Sequence, residues 1–238
     1  MAQTINESAT FVSIGNKKRP KHRLLLVDDH PVLREGFAQL ITIEPDLQVC
    51  GQTGNSVKAL YDIAALKPDL VVLDTALNGC NGIELIKQIK AVYSDLAILV
   101  FSVHDECLYA ERALRAGARG YVMKQSPTEE VLGAIRRVLS GERYLSRRMH
   151  ERMLEKISNG APVFSAGASG LDFERLSDRE LEVFQLIGSG LGTRQIAGQL
   201  HLSIKTVETY RAHIKRKMHL RNGMELIRMA MESVHQAH

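Results

Sequence analysis

Five apolar runs of strand length recur through the first part of the chain: RLLLV (23–27), LQVCG (47–51), LVVL (70–73), LAILVF (96–101) and GYVM (120–123). Amphipathic stretches of helical length separate them: PVLREGFAQLITI, SVKALYDIAAL, GIELIKQIKAV, CLYAERALRA and TEEVLGAIRRVL. A spacing of about 20–25 residues is that of a βα unit. Strands alternating with helices predict a parallel sheet covered on both faces, a doubly wound, flavodoxin-like α/β domain ending near residue 140.

The rest of the chain reads differently. Residues 1–22 are polar with a KKRPK cluster and predict a disordered arm. A charged helix is expected within 142–158, followed by SNGAPVFSAGASG (158–170), an uncharged stretch of linker composition. From 171 onward the helical period dominates. The expected organisation is therefore an arm (1–22), an α/β domain (23–140), a linker with a charged helix (141–172) and a small all-α domain (173–238).

Bulk properties narrow the function. Of 238 residues, 45% are hydrophobic and 24% charged, an ordinary composition for a water-soluble fold with ample core. No run approaches the length of a membrane span, and the N-terminus lacks the apolar region of a signal peptide. Three isolated cysteines suit reduced thiols in a cytoplasm, and no zinc-type Cys/His spacing occurs. The net charge is +4, but its distribution matters more. Residues 24–139 carry 11 basic against 15 acidic groups, whereas 203–221 carry six basic groups against Glu208 alone. A basic stripe on the second part points to a polyanion partner, although a solvated helix face has the same composition.

In a doubly wound sheet, ligands bind beyond the carboxyl ends of the strands. The first strand delivers Asp28 and Asp29 to that rim, the third Asp74, the fourth Ser102 and the fifth Lys124. Clustered carboxylates repel one another unless a hard divalent cation such as Mg²⁺ lies between them. A lysine and a hydroxyl aimed at the same point suit an added phosphoryl group, with Asp74 as its nucleophile.

LLLVDDHPVLREGF, VVLD, LVFSVHD and GARGYVMK together resemble the receiver domain of bacterial two-component response regulators over about residues 22–140. The resemblance implies that Asp74 is the phospho-acceptor and that Asp28 and Asp29 form the acidic pocket. Asp29, Asp74 and the backbone carbonyl of Ala76 would touch Mg²⁺. Ser102 and Lys124 match the family's hydroxyl and lysine, and Tyr121 its aromatic switch residue. Two departures stand out. The usual D-L-x-M-P-G reads Asp74-Thr75-Ala76-Leu77-Asn78-Gly79, without the proline, and Lys124 is followed by Gln125 instead of proline.

Within the C-terminal part, Ser177 and Glu180 form a capping box. Gly188 and Gly190 end that helix. Thr193 is expected to cap a short second helix and Ser203 a longer, basic third. These are the parts of a helix-turn-helix. LSDRELEVFQLIGSGLGTRQIAGQLHLSIKTVETYRAHIKRKMHL is similar to the LuxR-type helix-turn-helix of the NarL/FixJ subfamily, with Tyr210 in place of the usual histidine. The third helix would then read double-stranded DNA, with Lys205, Glu208, Thr209 and Arg211 near bases and Thr206, His213, Lys215 and Lys217 near phosphates. The last helix, NGMELIRMAMESV, fills core or forms the family's dimer contact.

The combined expectation is a response regulator, phosphorylated on Asp74 by a histidine kinase, that binds promoter half-sites as a homodimer at least when phosphorylated. Three rivals remain at this level. One is a transcription factor whose receiver only dimerises. Another is a haloacid-dehalogenase-type phosphatase, disfavoured because Ala76 stands where D-x-D needs an acid. The third is a protein-binding module.

Overall fold

The computed structural model describes residues 20–77, 80–158 and 173–235. Residues 1–19 of the expected arm, 78–79 of the loop after Asp74, 159–172 of the expected linker and 236–238 of the expected C-terminal domain lie outside them.

The α/β domain runs in chain order β1 (His22–Val27), α1 (Pro31–Ile43), β2 (Leu47–Thr53), α2 (Ser56–Leu66), β3 (Leu70–Leu73), β4 (Ala76–Leu77), β5 (Cys80–Asn81), α3 (Gly82–Val92), β6 (Ala97–Ser102), α4 (Glu106–Ala116), β7 (Gly120–Met123) and α5 (Thr128–Leu139). Five strands form one parallel sheet in the order β2-β1-β3-β6-β7, and β4 pairs antiparallel with β5 in a small hairpin. His22, expected in the arm, is the first residue of β1.

Side chains alternate across the strands, so β1 serves two cores. Leu25 and Val27 pack toward α2, α3 and α4, together with Ala59, Ile83 and Tyr109. Leu24 and Leu26 pack toward α1 and α5, with Phe37, Ile41, Val131 and Ile135. The strand order reverses between β1 and β3, which makes their carboxyl ends the topological switch point of the sheet. Local signals fix the helix starts that face this rim. Pro31 opens α1, Asn81 accepts from the backbone N–H groups of Ile83 and Glu84 at the start of α3, and Asp105 accepts from Cys107 at the start of α4.

The segment expected as linker is partly structural. Tyr144 bridges to Gly120 at the β7 edge, its N–H donating to the Arg119 carbonyl at 3.0 Å, and Leu145 and Met149 are buried. The charged helix α6 spans Arg147–Ser158, five residues shorter at its start than the expected span, because residues 142–146 are used in this edge contact.

After a 3₁₀ turn at Phe173–Arg175, the C-terminal domain comprises α7 (Asp178–Gly188), α8 (Thr193–Gln199), α9 (Ile204–Lys217) and α10 (Gly223–His235). The capping box is formed in both directions: Ser177 Oγ accepts from Glu180 N, and the Glu180 carboxylate accepts from Ser177 N at 2.7 Å. Thr193 is not the cap of α8. Gly192 holds that position, its N–H donating to Gln195 Oε1, and Thr193 is the first helical residue. Ser203 caps α9 as expected, accepting from Thr206 N at 3.0 Å. Leu181, Phe184, Ile196, Val207, Ile214, Leu226 and Ala230 form the core of the bundle. Gly188 lets α7 and α10 meet: a Cβ there would fall 2.4 Å from the Ala230 carbonyl oxygen.

Candidate phosphoryl-acceptor site and nucleic-acid interface

Three of the rim carboxylates converge. Ligand atoms of Asp28, Asp29, His30 and Asp74 lie within 4.8 Å of one another. Lys124, at the end of β7, reaches across the switch point. Its Nζ is 2.7 Å from Asp28 Oδ2 and 2.7 Å from Asp74 Oδ2, and its side chain is almost fully buried. Burial disfavours the ammonium there, but Asp74 and Asp28 outweigh burial and hold its pKa above the ordinary lysine value. Ala76 N donates to Asp74 Oδ1 at 3.0 Å, which orients the carboxylate. The donor set is all hard oxygen apart from His30, whose Nδ1 lies 2.9 Å from Asp29 Oδ1. Such a set fits a hard divalent cation.

Ser102 is fully buried at the end of β6, and its backbone is fixed by Lys124 N donating to its carbonyl at 2.8 Å. Its hydroxyl is 2.6 Å from the Thr75 hydroxyl. Tyr121 is turned inward with no exposed surface, its hydroxyl donating to the His104 carbonyl at 2.8 Å. Burial drives that phenol far above its ordinary pKa, so it stays protonated. His104 stacks on Tyr109 with ring centroids 4.6 Å apart, and burial lowers the imidazole pKa.

The expected α9 residues divide in two. Lys205, Glu208, Thr209, Ala212 and Arg216 are exposed and recur at the spacing of one outward stripe, opposite buried Val207 and Ile214. Arg211 and Lys215 flank it, half-buried. His213 and Lys217, expected near phosphates, instead face α7. Lys217 Nζ is 2.6 Å from the Glu180 carboxylate, and His213 Nδ1 is 3.5 Å from it. The reason is that Glu180 is 3% exposed and needs cationic partners. Thr206 is likewise committed to the Ser203 hydroxyl at 2.8 Å, in the cap.

Several residues at these sites were not marked by sequence reasoning. His30 directly follows the acidic pair, and Thr75 directly follows Asp74, so adjacency was a usable signal. Arg216 falls on the α9 stripe and helical phase would have found it. Arg112 carries no such signal, because its partners are distant in sequence. It spans the two domains, pairing with Asp178 at 2.8 Å and donating to the carbonyls of Phe173 (2.7 Å) and Leu176 (2.8 Å). Lys87 also reaches Asp178, and Asn81 Nδ2 lies 3.4 Å from Glu182.

Residues 24–136 match the family model of the response regulator receiver domain, and residues 174–230 match that of the bacterial regulatory proteins of the luxR family. The oxygen regulatory protein NreC of Staphylococcus epidermidis is 31% identical over 211 residues, 88% of this chain and 97% of that relative. The chain belongs to the NarL/LuxR-type response regulators. This response regulator is accordingly a receiver joined to a LuxR-type DNA-binding domain, in a family of transcriptional regulators that are not enzymes. Among solved structures, RcsB of Salmonella enterica serovar Typhimurium bound to the rprA promoter in the presence of phosphomimetic BeF₃⁻ is similar, at 25% identity and a TM-score of 0.60, over 89% of this chain and 99% of that one. A LuxR-family two-component response regulator from Aurantimonas sp. SI85-9A1 is 35% identical over 58% of this chain and 99% of its own, with a TM-score of 0.55. Among the described residues of the response regulator, no helix is long and apolar enough to cross a membrane.

Proposed function

We propose that this response regulator is a cytoplasmic transcription factor switched by phosphorylation of Asp74, with residues 23–140 as the phospho-acceptor unit and 173–238 as the DNA-reading unit. The donor is the phosphohistidine of a histidine kinase. A carboxylate oxygen of Asp74 attacks phosphorus, the P–N bond breaks, and the departing imidazole takes up a proton. The observation that carries the reading is Lys124 held between Asp28 and Asp74 at the switch point of the sheet. That ammonium offsets charge on the transferring group, and an acyl phosphate at Asp74 would inherit it. Asp28, Asp29 and Asp74, with the Ala76 carbonyl, are the residues that would hold Mg²⁺. Bound there, the ion supplies charge neutralisation for the phosphoryl oxygens.

The acyl phosphate then attracts the Ser102 hydroxyl, and Tyr121 and the turn at His104 reorganise, which favours a homodimer. Two DNA-binding domains read two promoter half-sites about one helical turn apart, each through the outward stripe of α9. The promoter complex of RcsB with a phosphomimetic supports the DNA-reading step by relationship. The terminal helix α10 suits the dimer contact, since Met224 and Met231 are exposed on it.

The test is incubation of the full chain with acetyl phosphate and Mg²⁺, read by intact mass, with DNA selection in parallel. Wild type should gain one phosphoryl group and Asp74→Ala none, with half-site pairs enriched only in the phosphorylated sample. Absence of the adduct in wild type would leave the receiver as a dimerisation module.

A further inference from the structure

The residue after the acceptor, Thr75, stands where the family pattern has leucine, and it is placed unusually. Its side chain is 3% exposed, and its hydroxyl lies 2.6 Å from that of Ser102, itself fully buried. The Tyr121 hydroxyl lies beside both. Thr75 cannot follow a moving partner. Its carbonyl accepts from Gly82 N at 3.1 Å, and a Cβ on Gly82 would fall 2.4 Å from the Thr75 Cα, so the start of α3 is packed directly on its backbone. On the other side, Asp74 is held by Lys124 and by Ala76 N.

Ser102 is also fixed at its backbone, by Lys124 N at its carbonyl. Its hydroxyl can therefore move only by rotation about χ1. Either hydroxyl can donate across the pair, and turning the Ser102 hydroxyl toward a phosphoryl oxygen on Asp74 breaks it whichever one donates. In the dry interior the lost partner is not replaced by water.

We infer that Thr75 is a positioning residue that holds the Ser102 hydroxyl in its unphosphorylated setting and so lowers the affinity of the site for a phosphoryl group. The inference rests on phosphorylation at Asp74. Thr75 fixes the starting point of the Ser102 movement, and the strength of one buried hydroxyl pair sets how readily the site switches.

Thr75→Val keeps the side-chain shape and removes the hydroxyl; Thr75→Ala removes it with less volume; Thr75→Ser keeps it. The full chain is titrated with beryllofluoride and Mg²⁺ and bound fluoride is read by ¹⁹F NMR, while acetyl-phosphate labelling is read by intact mass. Removing one buried hydroxyl bond should tighten beryllofluoride binding about two- to tenfold in both Thr75→Val and Thr75→Ala, with a matching rise in steady-state acyl phosphate. Thr75→Ser should stay within about twofold of wild type. A simple loss of packing would weaken binding, and more so in Thr75→Ala than in Thr75→Val, so it has the opposite sign. Unchanged or weaker binding in Thr75→Val and Thr75→Ala, with wild type labelled normally, overturns the role of Thr75 alone. Failure of wild type to bind beryllofluoride or to be labelled overturns the phosphorylation reading, and the role of Thr75 with it.

Discussion

Replacing Arg112 with alanine should separate the two domains. Its guanidinium is 16% exposed and donates to three acceptors of the C-terminal domain: Asp178, and the carbonyls of Phe173 and Leu176. Each carbonyl bond from a charged donor contributes about 1 kcal/mol net once the hydration of the separated state is subtracted. The pair with Asp178 is 22% exposed on the acid side and is shared with half-exposed Lys87, so it adds about 0.5 kcal/mol. The sum is about 2.5 kcal/mol, or about a 70-fold shift toward the undocked arrangement. Two measurements read it. Small-angle scattering should show a larger radius of gyration for Arg112→Ala than for wild type. Amide exchange should quicken at the first turn of α7 and on α4 but not in β1 or β3. If both profiles match wild type while the variant melts normally, the contact between the domains does not depend on Arg112 and the estimate fails.

The same contact should respond to pH. Burial lowers the His104 pKa from 6.5; in the undocked state the ring regains water and its ordinary value, so that state binds the extra proton. Docking is therefore intact above about pH 6.5 and weakens as pH falls from there toward the lowered value, and exchange at α7 should rise over that interval in wild type but not in His104→Asn. On α9, Arg216→Ala should weaken DNA binding across sequences and reduce the salt slope by about one unit, while Glu208→Gln should alter base preference. Lys217→Ala should instead lower stability by about 1–3 kcal/mol, since it removes the ammonium bonded to the buried Glu180 carboxylate, and a denaturant midpoint will tell the two effects apart.

What was legible in the sequence had a period or a neighbour. All five sheet strands came from apolar runs, and α1, α2, α3 and α5 begin and end where the amphipathic stretches do. Asp28, Asp29, Asp74 and Lys124 were placed by strand ends alone, because a parallel sheet brings those ends to one rim. The misses share a physical cause. The β4–β5 hairpin has two residues per strand, too few for any alternation to register. Tyr144 joins the sheet through backbone bonds that leave no mark on side-chain pattern. His213 and Lys217 read as part of a basic stripe, yet a carboxylate 33 and 37 residues upstream draws both to the inner face. Charge composition counts cations without saying which are already paired.

The short turn from Ser102 to Glu106 connects the two halves of this molecule. Ser102 faces Thr75 at the acceptor site, and the His104 carbonyl receives the Tyr121 hydroxyl. The His104 ring lies against Gln185 of α7. Glu106 accepts from the Ser146 hydroxyl at 2.7 Å, just ahead of α6. One five-residue turn thus touches the acceptor pocket, the segment leading to the DNA-binding domain and that domain itself. These contacts are packed and hydrogen-bonded, so the turn cannot shift at one end without loosening the other. Linkage then requires reciprocity. If phosphorylation weakens docking, docking weakens phosphorylation by the same factor, and anything that pulls α7 away, including a DNA site that holds the domain elsewhere, makes Asp74 a better acceptor. Deletion of residues 173–238 should for that reason raise the affinity of the receiver for beryllofluoride at least as much as Arg112→Ala does, since it removes the Arg112 contacts together with those of Lys87, Asn81 and His104; a receiver that binds it no better than the full chain would show that the two ends of the turn move independently.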